Sequence, residues 1–172
     1  MNPRLLFAIQ RACEIHDGQM RKGTLTPYVS HLFAVATLLE NEPENTRIAA
    51  LLHDAIEDRD VAPSEIEKEF GTEVRELVQA VTKSNHPDWW TRAEDYLERM
   101  GSAPPEALKI IAADKVHNLW CTLQEEDPWE RFSTGYQGQC WWYQEVLKRL
   151  RIEHPLVEEL SQLVAELLRR GH

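Results

Sequence analysis

Apolar residues along this 172-residue chain recur at helical spacing almost throughout, and Gly and Pro fall between the periodic stretches rather than inside them. Leu5, Ala8, Ile9, Ala12 and Cys13 stand at i, i+3, i+4, i+7 and i+8 and predict a first helix over 3–16. A turn-rich stretch follows at 18–27. Further helices are predicted over 31–40, 47–56, 64–70 (opened by Pro63 and closed by Gly71) and 72–82. After a loop holding Asn85, Pro87 and Trp89, helices are expected over 92–100, 104–123, 136–151 and 155–170. No stretch sustains the period-2 alternation of a strand. The expectation is an all-α bundle of about 8–10 helices. With no linker or internal repeat, it forms one domain over 1–172, with the last helix packed on the rest.

Two of these helices carry ionisable residues where the pattern demands core. The third runs Ile48, Ala49, Ala50, Leu51, Leu52, then His53-Asp54, Ala55, Ile56 and Glu57-Asp58. On one continuous helix His53 and Glu57, and Asp54 and Asp58, are i, i+4 neighbours, so three carboxylates and an imidazole share one side. Like charges so placed repel, and a buried carboxylate needs hydrogen bonds, a counter-charge or a metal. A divalent cation resolves the conflict; the competing reading is a solvated helix end with Asp54 capping a neighbour. The helix over 104–123 repeats the anomaly, with Ile110, Ile111, Ala112 and Ala113 leading into Asp114 and Asn118 one turn on. Lys115 or His117 could pair with Asp114 as a buried ion pair, or the carboxylate could bind a metal. His31, at the start of the second helix, reads as a cap or core imidazole, or as a ligand.

Composition narrows the class. Hydrophobic residues at 42% and charged residues at 28% describe a globular chain. Nineteen Lys and Arg against 29 Asp and Glu give a net charge of −10, which argues against a nucleic-acid polymer or an anionic membrane as partner. The balance is uneven: residues 1–24 carry four basic and two acidic groups and end near Arg21-Lys22, whereas 40–76 carry four basic and twelve acidic. Cys13, Cys121 and Cys140 form no CxxC pair, so neither a disulfide framework nor a thiolate zinc site is indicated and a reducing cytoplasm fits. The apolar run at 5–9 is too short for a signal-peptide core or a membrane span. The doublets Trp89-Trp90 and Trp141-Trp142 cannot both face inward, so one of each is expected half exposed at a cleft or subunit contact. Core packing outranks base stacking for any one of them.

His31, then His53-Asp54, then Asp114 have the order and helical setting of the H…HD…D signature of HD-domain metal-dependent phosphohydrolases. The blocks Gln19-Met20-Arg21-Lys22, Pro27-Tyr28-Val29-Ser30-His31, His53-Asp54-Ala55-Ile56-Glu57-Asp58 and Ala113-Asp114-Lys115-Val116-His117-Asn118 narrow it further. They resemble the hydrolase domain of Rel/SpoT-type alarmone enzymes, most of all the stand-alone small alarmone hydrolases, over roughly residues 5–150. The resemblance implies that His31, His53, Asp54 and Asp114 bind one divalent ion, in this family usually Mn2+. It implies that Glu57 and Asp58 position and activate water. Arg21 and Lys22 line the nucleotide pocket, with Arg21 against the base and Lys22 near phosphate, and Asn118 contacts ribose or phosphate. The implied substrate is a purine nucleotide with a 3′-diphosphate, (p)ppGpp or (p)ppApp, cleaved to pyrophosphate and the 5′-phosphorylated nucleoside. Trp120 stands where the family has an Arg-bearing segment, and the 23–26 loop differs, which leaves the base open. Another HD-type nucleotide phosphohydrolase and a catalytically idle nucleotide-binding module remain as alternatives, and a homo-oligomer is an open option.

Overall fold

The computed structural model describes residues 2–170. In chain order they form α1 (Pro3–Ile15), α2 (Val29–Leu38), α3 (Glu44–Leu51), α4 (Ala55–Arg59), α5 (Pro63–Phe70), α6 (Thr72–Val81), α7 (Trp89–Met100) and α8 (Pro105–Leu123). A 3₁₀ turn at Trp129–Arg131, α9 (Gly135–Arg149) and α10 (Pro155–Arg169) complete the fold. The all-α expectation holds. Among the described residues the only β feature is a single bridge between Met20 and Pro27, and no helix is long and apolar enough to cross a membrane.

Local chemistry sets the helix ends. Proline opens α1, α5, α8 and α10, where its missing N–H costs nothing. Asn2 accepts from Arg4 N at 3.0 Å. Asp88 accepts from Thr91 N at 2.7 Å, and that cap starts α7 at Trp89, earlier than periodicity indicated. Gly71, at φ +94°, separates α5 from α6 in a conformation that strains any other residue.

α8 is the axis of the bundle: α10 lies along it, and α2, α3 and α6 pack around its other sides. Its Ile110, Ala112, Ala113 and Leu119 are fully buried, which is why it reads as apolar on all sides. Burying each Ile or Leu contributes about 1.5–3 kcal/mol.

One expectation fails, and the failure builds the site. The predicted helix over 47–56 is broken: α3 stops at Leu51, and Leu52 (φ −108°, ψ 6°) and Asp54 (φ −100°, ψ 1°) turn the chain before α4 begins. No Gly or Pro marks the break. Leu51, Leu52 and Ala55 are all buried, so the turn leaves the apolar run in the core on both sides and periodicity cannot register it. The continuous stripe pairing His53 with Glu57 is therefore not formed.

Candidate functional site

The break points His53 and Asp54 to one spot, although consecutive residues on a helix diverge by about 100°. His53 Nε2 lies 2.9 Å from Asp54 Oδ2. From α2, His31 brings its Nε2 within 3.6 Å of Asp54 Oδ2 and 3.2 Å of Asp114 Oδ1, the latter arriving from α8. Asp114 Oδ1 is also 3.8 Å from His53 Nε2. The two Nε2 atoms are buried and, despite these short approaches, make no aligned hydrogen bond. Two imidazole nitrogens and two carboxylate oxygens thus converge without satisfying one another. His31, His53 and Asp54 in particular could hold a metal ion.

Ring tautomers follow from the partners. His53 Nδ1 lies 2.8 Å from the Ala50 carbonyl, which can only accept, so that nitrogen donates and in the neutral ring Nε2 carries no proton. His31 Nδ1 lies 2.8 Å from His117 Nδ1. A free His31 Nε2 requires His31 to be the donor there, which places the His117 proton on Nε2, 3.6 Å from Cys121 Sγ. Such outer contacts are how ligating imidazoles are held. Burial, with the His31 and Arg21 charges nearby, pushes His117 down to about 4, so it stays neutral.

Asp114 forms the buried ion pair offered for it, with Lys115 as the partner. One oxygen takes an ion pair from buried Lys115 Nζ at 2.5 Å, and the other faces the imidazoles and accepts from Asn118 Nδ2. Its pKa is held well below the carboxylate range: burial works against the charged form, but Lys115 and the two imidazoles outweigh it. For His53, burial favours the neutral ring, yet Asp54 and Asp114 outweigh it and push the group up to about 9.

Glu57 and Asp58 leave the turn on α4. Glu57 accepts from Lys83 N at 3.1 Å and from its Nζ at 3.3 Å, while Asp58 Oδ2 accepts from Gln19 Nε2 at 2.8 Å. Partial burial and the Asp54 charge raise the Asp58 pKa. Tyr28 joins the groups, its hydroxyl donating to Asp54 Oδ2 at 2.6 Å. Arg21 donates to Asn118 Oδ1 at 2.9 Å, so two of the expected substrate contacts touch, and Lys22 lies on the wall beside them.

A cavity of about 710 Å³, a size suited to a nucleotide, lies beside this set; His31, His53, Asp54, Asp114, Glu57 and Asp58 are not on its wall, but the wall residues Tyr28, Lys83, Lys115, His117 and Asn118 contact them. Six cationic side chains, Arg21, Lys22, Lys83, Arg92, Lys115 and Arg131, line it against one carboxylate, Glu125. Trp120 stands on its wall 51% exposed. Of the doublets, Trp142 is buried and Trp90 is 45% exposed, within a cluster in which Trp90 and Trp141 rings sit 5.0 Å apart. Sequence reasoning assigned no role to His16, Tyr28 or Lys83. Tyr28 sits in a quoted motif block and His16 at the end of the first predicted helix, but nothing in their spacing foretold the Tyr28 bond to Asp54 or the link from His16 through Gln19 to Asp58.

Comparisons with known proteins fit this arrangement. The HD domain family model matches residues 8–131. Mouse guanosine-3′,5′-bis(diphosphate) 3′-pyrophosphohydrolase MESH1 is 35% identical over 171 residues, covering 89% of this chain and 96% of its own. The Danio rerio MESH1 is 34% identical over 94% of this chain and 93% of its own. A solved metazoan ortholog of SpoT, described as hydrolysing ppGpp and acting in starvation responses, superposes with a TM-score of 0.84 at 30% identity, covering 99% of this chain and 97% of its own. A Listeria monocytogenes EGD-e structure does so at 0.77 and 30%, covering 83% and 96%. A family model spanning most of the chain, joined to near full-length relatives and the same fold, establishes that this chain belongs to the HD-domain family.

Proposed function

We propose that this chain is a divalent-cation-dependent hydrolase that removes the 3′-diphosphate from a purine alarmone, ppGpp first, and releases pyrophosphate. One observation carries the reading: two buried imidazole nitrogens without hydrogen-bond partners converge with oxygens of Asp54 and Asp114 beside a cationic, nucleotide-sized cavity, whose wall residues Tyr28, Lys115 and Asn118 bond those two carboxylates. The similarity to MESH1 proteins and to the SpoT ortholog supports the substrate.

The donor set fits a cation. His31 Nε2, His53 Nε2, Asp54 and Asp114 would hold it, and an all-N/O set suits Mn2+ rather than a thiolate-type zinc site. When bound, the cation supplies positive charge to the phosphoryl oxygens and makes a nearby water more acidic. The chain supplies the rest. Asp58 accepts the proton of the attacking water, and its raised pKa makes it a stronger base than an ordinary carboxylate. Glu57, anchored by Lys83, orients the same water. Attack at the phosphorus nearest the ribose breaks its bond to the 3′ oxygen, which takes a proton from solvent and leaves as the hydroxyl, while Asp58 returns its own proton to solvent. Arg21, Lys22 and Lys83 balance the nucleotide's charge from the cavity wall, and Asn118 ties that wall to Asp114. The free thiols of Cys13, Cys121 and Cys140 suit a reducing cytoplasm.

The direct test incubates the purified chain with Mn2+ and ppGpp, ppApp or GTP and measures pyrophosphate. Release from ppGpp supports the reading, release from ppApp alone transfers it to adenine, and orthophosphate or tripolyphosphate as product, or no turnover, overturns it.

Removing the cation has a pH signature. With its folded pKa at about 9, above the usual 6.5, His53 is protonated in the metal-free protein and pairs with Asp54 and Asp114. That stabilisation, on the order of 3 kcal/mol, is fully present below about pH 6.5 and is lost as pH rises through about 9. In chelator, Tm is expected to fall between pH 7 and pH 10. In excess Mn2+, which replaces the proton, the fall should shrink. A chelated protein whose Tm rises over this range contradicts the assignment.

A further inference from the structure

Two side chains outside the donor set control how Asp58 is presented. Gln19 Nε2 donates to Asp58 Oδ2 at 2.8 Å, and Gln19 Oε1 lies 2.8 Å from His16 Nδ1. As a proton acceptor Asp58 is ionised and can only accept hydrogen bonds, so the Gln19 amide must turn its NH2 toward Asp58 and its oxygen toward His16. His16 must then carry its proton on Nδ1. Its other nitrogen, Nε2, is buried with no partner, an arrangement that costs stability. The ring is nevertheless firmly placed, 2% exposed and stacked on Tyr28 with centroids 5.3 Å apart and planes at 15°.

The backbone fixes the same loop. Gln19 N donates to His16 O at 3.0 Å, and Tyr28 N donates to Gln19 O at 2.8 Å. The His16–Tyr28 stack therefore carries two acids at once, Asp58 through Gln19 and Asp54 through the Tyr28 hydroxyl.

We propose that Gln19 is a positioning residue that orients Asp58 toward the attacking water, and that His16, as its Nδ1–H tautomer, sets the polarity of the Gln19 amide. The proposal rests on the reading of Asp58 as proton acceptor. Gln19→Glu keeps the shape, removes the donor and places a second negative charge against Asp58; Gln19→Leu removes the polar contact altogether. Misplacing a reacting group by about 1 Å costs on the order of 10²-fold in rate. Both variants are therefore expected to lose kcat on that scale, with KM within about twofold and Mn2+ stoichiometry unchanged, because Gln19 meets water-side chemistry and not the nucleotide. A merely structural tether would lower Tm and leave kcat in place.

An independent readout needs no turnover. Long-range 1H–15N correlation on protein labelled at histidine is expected to show His16 with its proton on Nδ1, bound to the amide oxygen. A proton on Nε2, or unchanged kcat in folded Gln19→Glu and Gln19→Leu, overturns the proposal. Failure of the wild type to release pyrophosphate would instead strike the functional reading, while the His16 tautomer still decides the polarity of the Gln19 amide.

Discussion

Replacing His53 with alanine is expected to abolish tight Mn2+ binding and to lower kcat/KM by at least about 10³-fold, the equivalent of roughly 4 kcal/mol of transition-state stabilisation. The expectation follows from where the ring sits. His53 is 3% exposed, its Nδ1 is committed to the Ala50 carbonyl, and its Nε2 is one of two nitrogens in the set, so no neighbouring side chain can replace it. Its loss also leaves Asp54 and Asp114 facing each other with one imidazole fewer between them. Electron paramagnetic resonance of added Mn2+ measures the binding, and circular dichroism in chelator separates a lost site from a lost fold. A folded variant that still binds one Mn2+ tightly and turns over substrate excludes His53 from the site.

Asp58→Asn produces the second large effect, of a different kind. General-base assistance contributes about 10²–10⁴-fold, so kcat should fall by about 10³-fold while Mn2+ binding stays at the wild-type level. Asparagine matches aspartate in shape and can still accept from Gln19, so the loss belongs to the missing proton acceptor rather than to packing. Single-turnover measurement of pyrophosphate release, run alongside Mn2+ titration, separates chemistry from metal loading. If Asp58→Asn retains full kcat, another group takes the proton. A catalytically idle nucleotide-binding module predicts no change in either quantity.

Much of this was legible in the sequence because its causes are local. Gly71 and the Pro63 start bound α5 as predicted, and the spacing of Leu5, Ala8, Ile9 and Ala12 located α1. His53, Asp54 and Asp114 were marked by charge set against an apolar run, a conflict visible in the order of residues, whereas His31 read as a cap or core imidazole as well as a ligand and joined them through the family resemblance. What escaped has a common origin in contacts that periodicity does not encode. The turn at Leu52–Asp54 lacks Gly and Pro and hides inside an unbroken buried run. Asp114 was offered Lys115 or His117 as partner; Lys115 takes the carboxylate and His117 turns to His31 instead. His16 was read only as the end of a helix, and Gln19 and Tyr28 only as members of the motif blocks; their hold on Asp54 and Asp58 depends on long-range folding.

The broken helix also bears on the order in which the molecule can be assembled. His53 and Asp54 are covalent neighbours, so a single local turn brings half of the donor set together as soon as it forms. His31 and Asp114 join only when α2 and α8 close around that turn, a long-range step that is slower and carries the loop-closure entropy. A chain paused midway through folding would hold two donors, too few to retain a cation firmly. If the proposed set holds the ion, its capture would report the last stage of folding, and the bound ion would act as a latch that stabilises N over every less complete state.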